Sequence, residues 1–398
     1  MDMVKGRKAR IDKANYAEKI NHESAPYAAV ENIRDLEKKF FVDGMTGTNR
    51  QIFAALRNRY TFLHTCCGIL RGESVFKAEL SDWFGLRHKK ASDAHPVFVA
   101  VLQIATGKTN KGLKLYGRVA RHKEVNMCPI GALGFYLMYR FSTTNEFDGD
   151  RIPDFTSNEA WFDIKLLVES NTQDFKKSIK NTSYAQAVKA ACDFHKIASN
   201  HCVHLGRVIG HKEGEMNGDD IEELRQLGNW DPKTQEKAYS NKLPMKVIRS
   251  RAGYQQADGL YFNPRTAIEP PEELKKLVFP WLDNARASFD AKVESEGLKR
   301  PTADAFLYFM EDLRTIILQD AAVIVELYPE RASHPFFNME VFNTELFHNF
   351  RATMRETLET TESPLDASFE TVLPGVKNML NNVQAQGAMN HQLSLIHI

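Results

Sequence analysis

The sequence lacks the features that mark membrane proteins and disulfide-stabilised secreted proteins. Its 398 residues contain no apolar run long enough to cross a bilayer. No apolar signal-peptide core follows the basic start, Met1 to Lys13. The five cysteines are odd in number and form no C-x-x-C pair, which argues against a disulfide framework. We therefore expect a soluble protein of a reducing compartment, with no membrane partner.

The chain also lacks an excess of charge of either sign. Its 52 basic and 51 acidic residues give a formal net charge of +1, so any nucleic-acid-binding surface must be local. One basic run without acidic residues is present, and it contains Lys108, Lys111, Lys114, Arg118, Arg121 and Lys123. These side chains are predicted DNA contacts. The short basic start has two interpretations, a solvated tail or an arm for nuclear import or DNA-backbone binding.

Apolar periodicity predicts a mainly α protein with a small antiparallel β-sheet, an α+β fold. Helices are expected from Pro26 to Asp43 and over residues 49–69, 129–141, 184–199, 219–227 and 302–328. Residues 96–104 and 113–119 are predicted to form a β-hairpin with a basic tip. The second helix should place Cys66 and Cys67 in the core and Arg71 at its end.

Glycine, asparagine and proline replace the periodic pattern around residues 253–271, which predicts a domain boundary there. The expected segments are a basic tail (1–26), a DNA-binding or catalytic domain (27–252), a helical C-terminal domain (253–380) and a flexible tail rich in Asn and Gln (381–398). The Phe- and Leu-rich faces of the C-terminal domain are expected to bind protein partners.

A set of polar residues stands out against this background: Arg71, Lys108, His204, Arg207, Trp230 and Tyr239. Each has an ordinary explanation, such as a helix-end arginine, a solvated lysine or a core tyrosine. The combination is different. Transfer of a phosphodiester to a protein needs a nucleophile, several fixed cationic donors and an acid for the leaving oxygen. This set supplies all of them and requires neither a metal nor another cofactor.

The C-terminal part of this set resembles a known signature. His204-Leu205-Gly206-Arg207, Leu227-Gly228-Asn229-Trp230 and then Tyr239 follow the order and spacing of the tyrosine recombinases. Trp230 resembles the subset of recombinases that carry Trp where most carry His. The resemblance implies a tyrosine-recombinase-like catalytic fold followed by a helical domain.

The N-terminal part of the set resembles the same family. Leu70-Arg71-Gly72-Glu73 is similar to its first-arginine motif, and Lys108 lies on the hairpin where the family has its lysine. The Leu70–Glu73 motif and the hairpin tip Thr106-Gly107-Lys108-Thr109 are most similar to those of the Crypton-type recombinases of fungal mobile elements. Glu73 departs from the family, because its acidic residue stands one position later in most members.

The resemblance implies a role for each residue. Arg71 and Arg207 would hold the scissile phosphate, and His204 would hydrogen-bond to it. Trp230 would pack beside it, Lys108 would be the general acid, and Tyr239 would form a 3′-phosphotyrosine link.

The region after Gly253 resembles a second protein, the DNA-binding subunit of the point-centromere kinetochore complex, through Pro270-Pro271, the long helix and Leu373-Pro374-Gly375. That protein shares the recombinase-like fold but acts as a non-catalytic scaffold. Recombinases also carry a helical clamp domain before the catalytic one, whereas only some 26 residues precede the first helix here. The chain is thus expected either to be a fragment or to bind DNA without that clamp.

A histidine and cysteine cluster raises the question of a metal site. Cys192, His195, His201 and Cys202 lie near His204 in the sequence, but their spacing matches no standard zinc motif. We expect no metal there, and we interpret Asp219 and Asp220 as the charged start of a helix.

Two function hypotheses follow from the sequence. The first is a nuclear, self-associating DNA strand-transfer enzyme, and the second is a DNA-binding scaffold of centromere type with an inactive site. The complete residue set favours the enzyme, and the missing clamp favours the scaffold.

Overall fold

The computed structural model describes residues 30–89, 96–104, 115–197, 202–230, 243–254 and 261–360. The predicted fold class is confirmed within this part, which is mostly helical with one three-stranded antiparallel sheet. Several predictions lie outside the described residues, namely those for both tails, Lys108, Lys111, Lys114 and Tyr239.

The first half of the chain alternates helices with the sheet. Its elements are α1 Ile33–Val42, α2 Asn49–Cys67, α3 Gly72–Phe76, β1 Trp83–His88, β2 Val97–Ile104, β3 Leu115–Ala120, α4 Pro129–Thr144, α5 Asn158–Trp161 and α6 Asn181–Phe194. Short 3-10 turns occur at Leu80–Asp82, Val125–Met127 and Gly149–Arg151. Helix α2 begins at a capping box in which Thr48 and Gln51 satisfy each other's backbone amides.

The second half is helical. Its elements are α7 Leu205–Met216, α8 Ile221–Leu227, α9 Met245–Ser250, α10 Glu272–Leu277, α11 Leu282–Glu296, α12 Pro301–Leu327, α13 Pro329–Ala332 and α14 Glu345–Thr360. Further 3-10 turns occur at Pro264–Thr266, Pro335–Asn338 and Glu340–Asn343. The 27-residue helix α12 begins at Pro301, whose missing amide hydrogen costs nothing in a first turn.

Strand β2 is the centre of the sheet. It pairs antiparallel with β1 through Trp83 and Leu102, and with β3 through Val101 and Arg118. The predicted hairpin strands are therefore present and correctly paired. Strand β1 was not predicted, because its half-exposed residues show no clear alternation.

The two faces of β2 belong to two apolar clusters. Phe98, Ala100 and Leu102 face the larger cluster, whereas Val99 and Val101 face a smaller one beneath α8 and α9. This alternation is the two-residue period of a strand that is buried on both sides. The sheet therefore lies between the two clusters.

The larger cluster runs across the predicted boundary at residue 253, from Val30 to Met354. Helix α12 packs on β1 and on α4, and its Phe309 stacks on Trp83 with ring centroids 5.6 Å apart. Residues on both sides of the predicted boundary therefore contribute to one core.

A buried ion cluster ties the ends of this core together. Glu37 of α1 accepts hydrogen bonds from Arg59 of α2 and from both terminal nitrogens of Arg331. Because a buried carboxylate requires such partners, α13 is held against the first two helices.

Candidate functional site

The candidate site begins where α7 crosses α2. A Cβ atom on Gly206 would lie 2.2 Å from Thr65 Oγ1, and one on Gly210 would lie 2.0 Å from the carbonyl oxygen of Cys66. The two helices therefore touch along a face that accepts no side chain at these positions. This close approach fixes the position of Arg207 on α7.

A second close approach brings Arg71 to the start of α7. Arg71 is the N-cap of α3, and a Cβ atom on the next residue, Gly72, would lie 2.8 Å from Val203 Cγ1. Val203 directly precedes His204, the exposed N-cap of α7. The structure thus brings together the chain segments that carry Arg71, His204 and Arg207.

The Arg207 side chain is buried, with 8% of its surface exposed. It donates one hydrogen bond to the carbonyl of Ile69 at 3.0 Å and another to the carbonyl of Gly228 at 2.8 Å. Burial, and then the positive charge of Arg71, lowers the pKa of Arg207 to about 10. Among the described residues no carboxylate pairs with Arg207. Its positive charge is therefore fixed in place by backbone carbonyls.

Trp230 covers the Arg207 guanidinium. The guanidinium carbon lies 4.2 Å from the centroid of the indole ring, in a cation–π arrangement. The ring of His211, one turn after Arg207 on α7, meets the same indole edge-on with centroids 4.7 Å apart. Gly228 leaves room for the indole, since a Cβ atom there would lie 2.6 Å from Trp230 Cε3. Trp230 is thus held by two side chains of one helix.

The backbone is strained in the two chain segments whose carbonyls bind Arg207. Ile69 and Asn229 adopt φ values of 51° and 53°, which L residues rarely adopt. The Asn229 side chain donates a hydrogen bond of 3.1 Å to the carbonyl of Tyr116, which attaches the Trp230 turn to β3. Strained backbone of this kind is concentrated at functional sites.

Three of the predicted basic residues are described, and the structure separates them. Arg118 is half-buried on β3, 5.3 Å above the ring of Tyr116, and burial lowers its pKa. Lys123 is exposed, just after the end of the same strand.

Arg121 lies in the core. It is 2% exposed and binds Asp320 and Gln319 of α12, while Arg265 binds the same Asp320 at 2.8 Å. Its guanidinium neutralises the Asp320 carboxylate, because a buried carboxylate needs cationic partners. The predicted DNA contact at Arg121 is therefore corrected to a structural ion pair.

Sequence reasoning missed His211, Asn229 and Gly210. The motif Leu227–Trp230 contains Asn229, and the motif His204–Arg207 ends one turn before His211. The roles of these residues depend on how α7 packs against α2 and Trp230. The glycine spacing of Gly206 and Gly210 was the available signal, because small residues four apart are typical of closely packed helices.

No group of three or more histidine, cysteine, aspartate or glutamate side chains within the described ranges could hold a metal ion. Of the histidine and cysteine cluster at residues 192–202, His201 lies outside these ranges. No helix in the same part of the chain is long and apolar enough to span a bilayer.

Chemically, the site is suited to an anion. Two arginines lie close enough for the charge of one to lower the pKa of the other. An anion between like charges relieves their repulsion, and a planar guanidinium matches the oxygens of a phosphate.

Comparison with known proteins gives the family. The family model "Centromere DNA-binding protein complex CBF3 subunit, domain 2" matches residues 16–348, well over half of the chain. The chain therefore belongs to this family. A search of the curated proteins found no match.

Among solved structures, the chain is similar to FLP recombinase in a Holliday junction complex, with 13% identity and a TM-score of 0.35. That match covers 60% of this chain and 53% of the recombinase chain. The Flpe–Holliday junction complex matches with 13% identity, a TM-score of 0.33 and coverages of 59% and 53%. The chain thus spans about half the length of these recombinase chains.

Proposed function

We propose that this chain binds duplex DNA and places a backbone phosphate between Arg71 and Arg207. One observation carries the proposal. Arg207 is buried, held by two backbone carbonyls and covered by Trp230, with the like charge of Arg71 nearby. A cation fixed in this way, without a carboxylate partner in the described part of the chain, is a preorganised anion site.

The family supports DNA as the source of the phosphate, since its description names a centromere DNA-binding subunit. Lys123 and the half-buried Arg118 would extend the contact along β3. Lys111 and Lys114, which the sequence predicts on the tip of the hairpin, would continue it along the DNA backbone. A protein with this role acts in the nucleus, and self-association would let it occupy two sites on one duplex.

The test is the salt dependence of DNA affinity for the wild type and Arg207→Met. Each phosphate contact contributes about one unit to the slope of log affinity against log salt. The variant should bind more weakly and lose about one unit of slope. An equal slope at equal stability would refute the phosphate site. Lys299 is exposed on the turn between α11 and α12. Lys299→Met is therefore the control for loss of a positive charge.

A second candidate function, DNA strand cleavage, is favoured by the sequence motifs. Their residues Arg71, His204 and Arg207 lie on neighbouring chain segments, and Lys108 and Tyr239 lie outside the described residues. In this proposal the Tyr239 hydroxyl releases its proton to solvent water as its oxygen attacks the phosphorus held by Arg71 and Arg207, and a 3′-phosphotyrosine bond forms. The bond to the 5′-oxygen breaks, and Lys108 donates a proton to that oxygen. Rejoining is the reverse reaction, so no external energy source is needed.

Cleavage is tested with a nicked suicide duplex, whose short cleaved fragment dissociates and traps the covalent intermediate. A denaturing gel should show a protein–DNA adduct that Tyr239→Phe abolishes and that the exposed-tyrosine control Tyr308→Phe retains. If the wild type binds the duplex but gives no adduct, the binding function stands and cleavage is refuted.

A further inference from the structure

A recess lies in a part of the molecule that carries none of the DNA-site residues. It has a volume of about 840 Å³ and is bounded by the C-terminal half of α4, the loop that follows it, α11 and the turn at Glu340–Asn343. We call it the aromatic groove, after its lining residues Phe141, Phe147, Phe155, Phe279 and Trp281. Sites that bind small molecules typically have volumes of about 300–1,000 Å³.

The floor of the groove is a packed set of aromatic rings. Trp281 meets Phe147 edge-on with centroids 4.7 Å apart and lies nearly parallel to Phe155 at 6.2 Å. Phe141 meets Trp281 edge-on at 5.8 Å. Because these rings pack on one another in the isolated chain, the aromatic floor is formed before a partner arrives.

The backbone beside the floor is strained. Phe279 adopts a φ of 53°, although it is a bulky residue. Arg314 of α12 holds this turn, with hydrogen bonds of 2.7 Å to the carbonyl of Val278 and 2.8 Å to that of Phe279. Asp283 in turn binds Arg314 at 2.6 Å. Strain of this kind persists where the surroundings enforce it, and it is concentrated at binding sites.

The rim of the groove is acidic. Asp148 and Glu340 line it and are exposed, whereas the rim residue Lys292 is already neutralised by Asp154 at 2.6 Å. A negative rim repels the phosphates of nucleic acids and of anionic lipids. It attracts an occupant that carries lysine or arginine.

We propose that the aromatic groove binds a segment of a partner protein in which one or two large apolar side chains are flanked by lysines or arginines. The apolar side chains fill the aromatic floor, and the basic residues face Asp148 and Glu340. Anchors of this kind supply most of the affinity of a protein interface when they enter a preformed apolar pocket. The proposal is independent of the DNA site.

The experiment uses a phage-displayed random peptide library, selected on the full chain and counter-selected on Ser288→Trp. Ser288 is an exposed lining residue of α11, so a tryptophan there fills the groove without disturbing the core. Its neighbour Ala287 is exposed but does not line the groove, and Ala287→Trp is the matched control. Far-ultraviolet circular dichroism and urea unfolding of each variant report that it is folded.

Enriched peptides should combine aromatic or aliphatic anchors with lysine or arginine. Synthetic copies should bind the wild type and Ala287→Trp equally, bind Ser288→Trp at least tenfold more weakly, and lose affinity on Glu340→Lys. The proposal is overturned if no peptide depends on an open groove, or if the selected peptides are acidic. It is also overturned if the wild type self-associates in sedimentation and Ser288→Trp does not, because the occupant is then a second copy.

Discussion

At the scale of single residues, basic side chains that look alike in the sequence lie in different environments. Arg121 and Lys123 belong to one basic run, yet Arg121 is buried against Asp320 and Lys123 is exposed. Loss of one partner of a buried ion pair costs about 3 kcal/mol of unfolding free energy, and an exposed change costs within about 0.5 kcal/mol. Urea unfolding of Arg121→Met and Lys123→Met should therefore separate the two residues.

An unchanged unfolding free energy of Arg121→Met, together with weaker DNA binding at low salt, would show that Arg121 is a DNA contact. The structure predicts that Lys123→Met, and not Arg121→Met, weakens DNA binding without loss of stability.

His64 should make the stability of the fold sensitive to acid. It is fully buried on α2, neither ring nitrogen has a hydrogen-bond partner among the described residues, and burial lowers its pKa to about 3. The unfolded chain therefore binds a proton at higher pH, near the usual value of about 6.5. Stability from the neutral ring is fully present above that pH. It is lost as the pH falls towards 3, by about 1.4 kcal/mol per pH unit.

The change that isolates this effect is His64→Phe, which keeps a ring against Trp83. Other titrating groups cancel when the two proteins are compared. Between pH 6 and pH 4 the unfolding free energy of the variant should fall less steeply than that of the wild type. Parallel curves would contradict the buried neutral state of His64.

At the scale of elements, the crossing of α2 and α7 determines the geometry of the site. Any side chain at Gly210 would collide with the carbonyl oxygen of Cys66, 2.0 Å from an added Cβ atom. Overpacking of this kind costs about 1–3 kcal/mol, and relief of the clash would move α7 and Arg207 with it. Gly210→Ala should therefore lower both the unfolding free energy and DNA affinity.

The control is Met216→Ala at the exposed end of the same helix, which should change neither quantity. If Gly210→Ala retained full DNA affinity despite lower stability, the position of Arg207 would not depend on this crossing.

The elements also show how far the sequence could predict this fold. Helices α2, α4 and α12 were predicted within a few residues, because their long apolar faces repeat at helical spacing. Helix α7 was not predicted, since Gly206, Gly210 and Gly214 weaken its helical signal. Gly206 and Gly210 are required by the close approach of α2, and Gly214 by the side chain of Leu224 on α8. The residues of the site could thus be selected from motifs, but the contact of His211 with Trp230 could not.

At the scale of the whole molecule, one core joins the two predicted domains. Trp83 of β1 packs on Phe309 of α12, and Glu37 of α1 binds Arg331 of α13. We therefore predict one cooperative urea transition, with tryptophan fluorescence and far-ultraviolet circular dichroism coincident. Two resolved transitions would contradict a shared core and favour independent domains on either side of residue 253.

Ethylation interference on a duplex bound by this chain shows whether Arg207 holds a DNA phosphate. Ethylation removes the charge of single phosphates, so it identifies those that the protein needs. Ethylation of at least one phosphate should weaken binding of the wild type but no longer affect Arg207→Met. If every interfering phosphate is the same for both proteins, Arg207 does not hold a DNA phosphate and the proposed site is wrong.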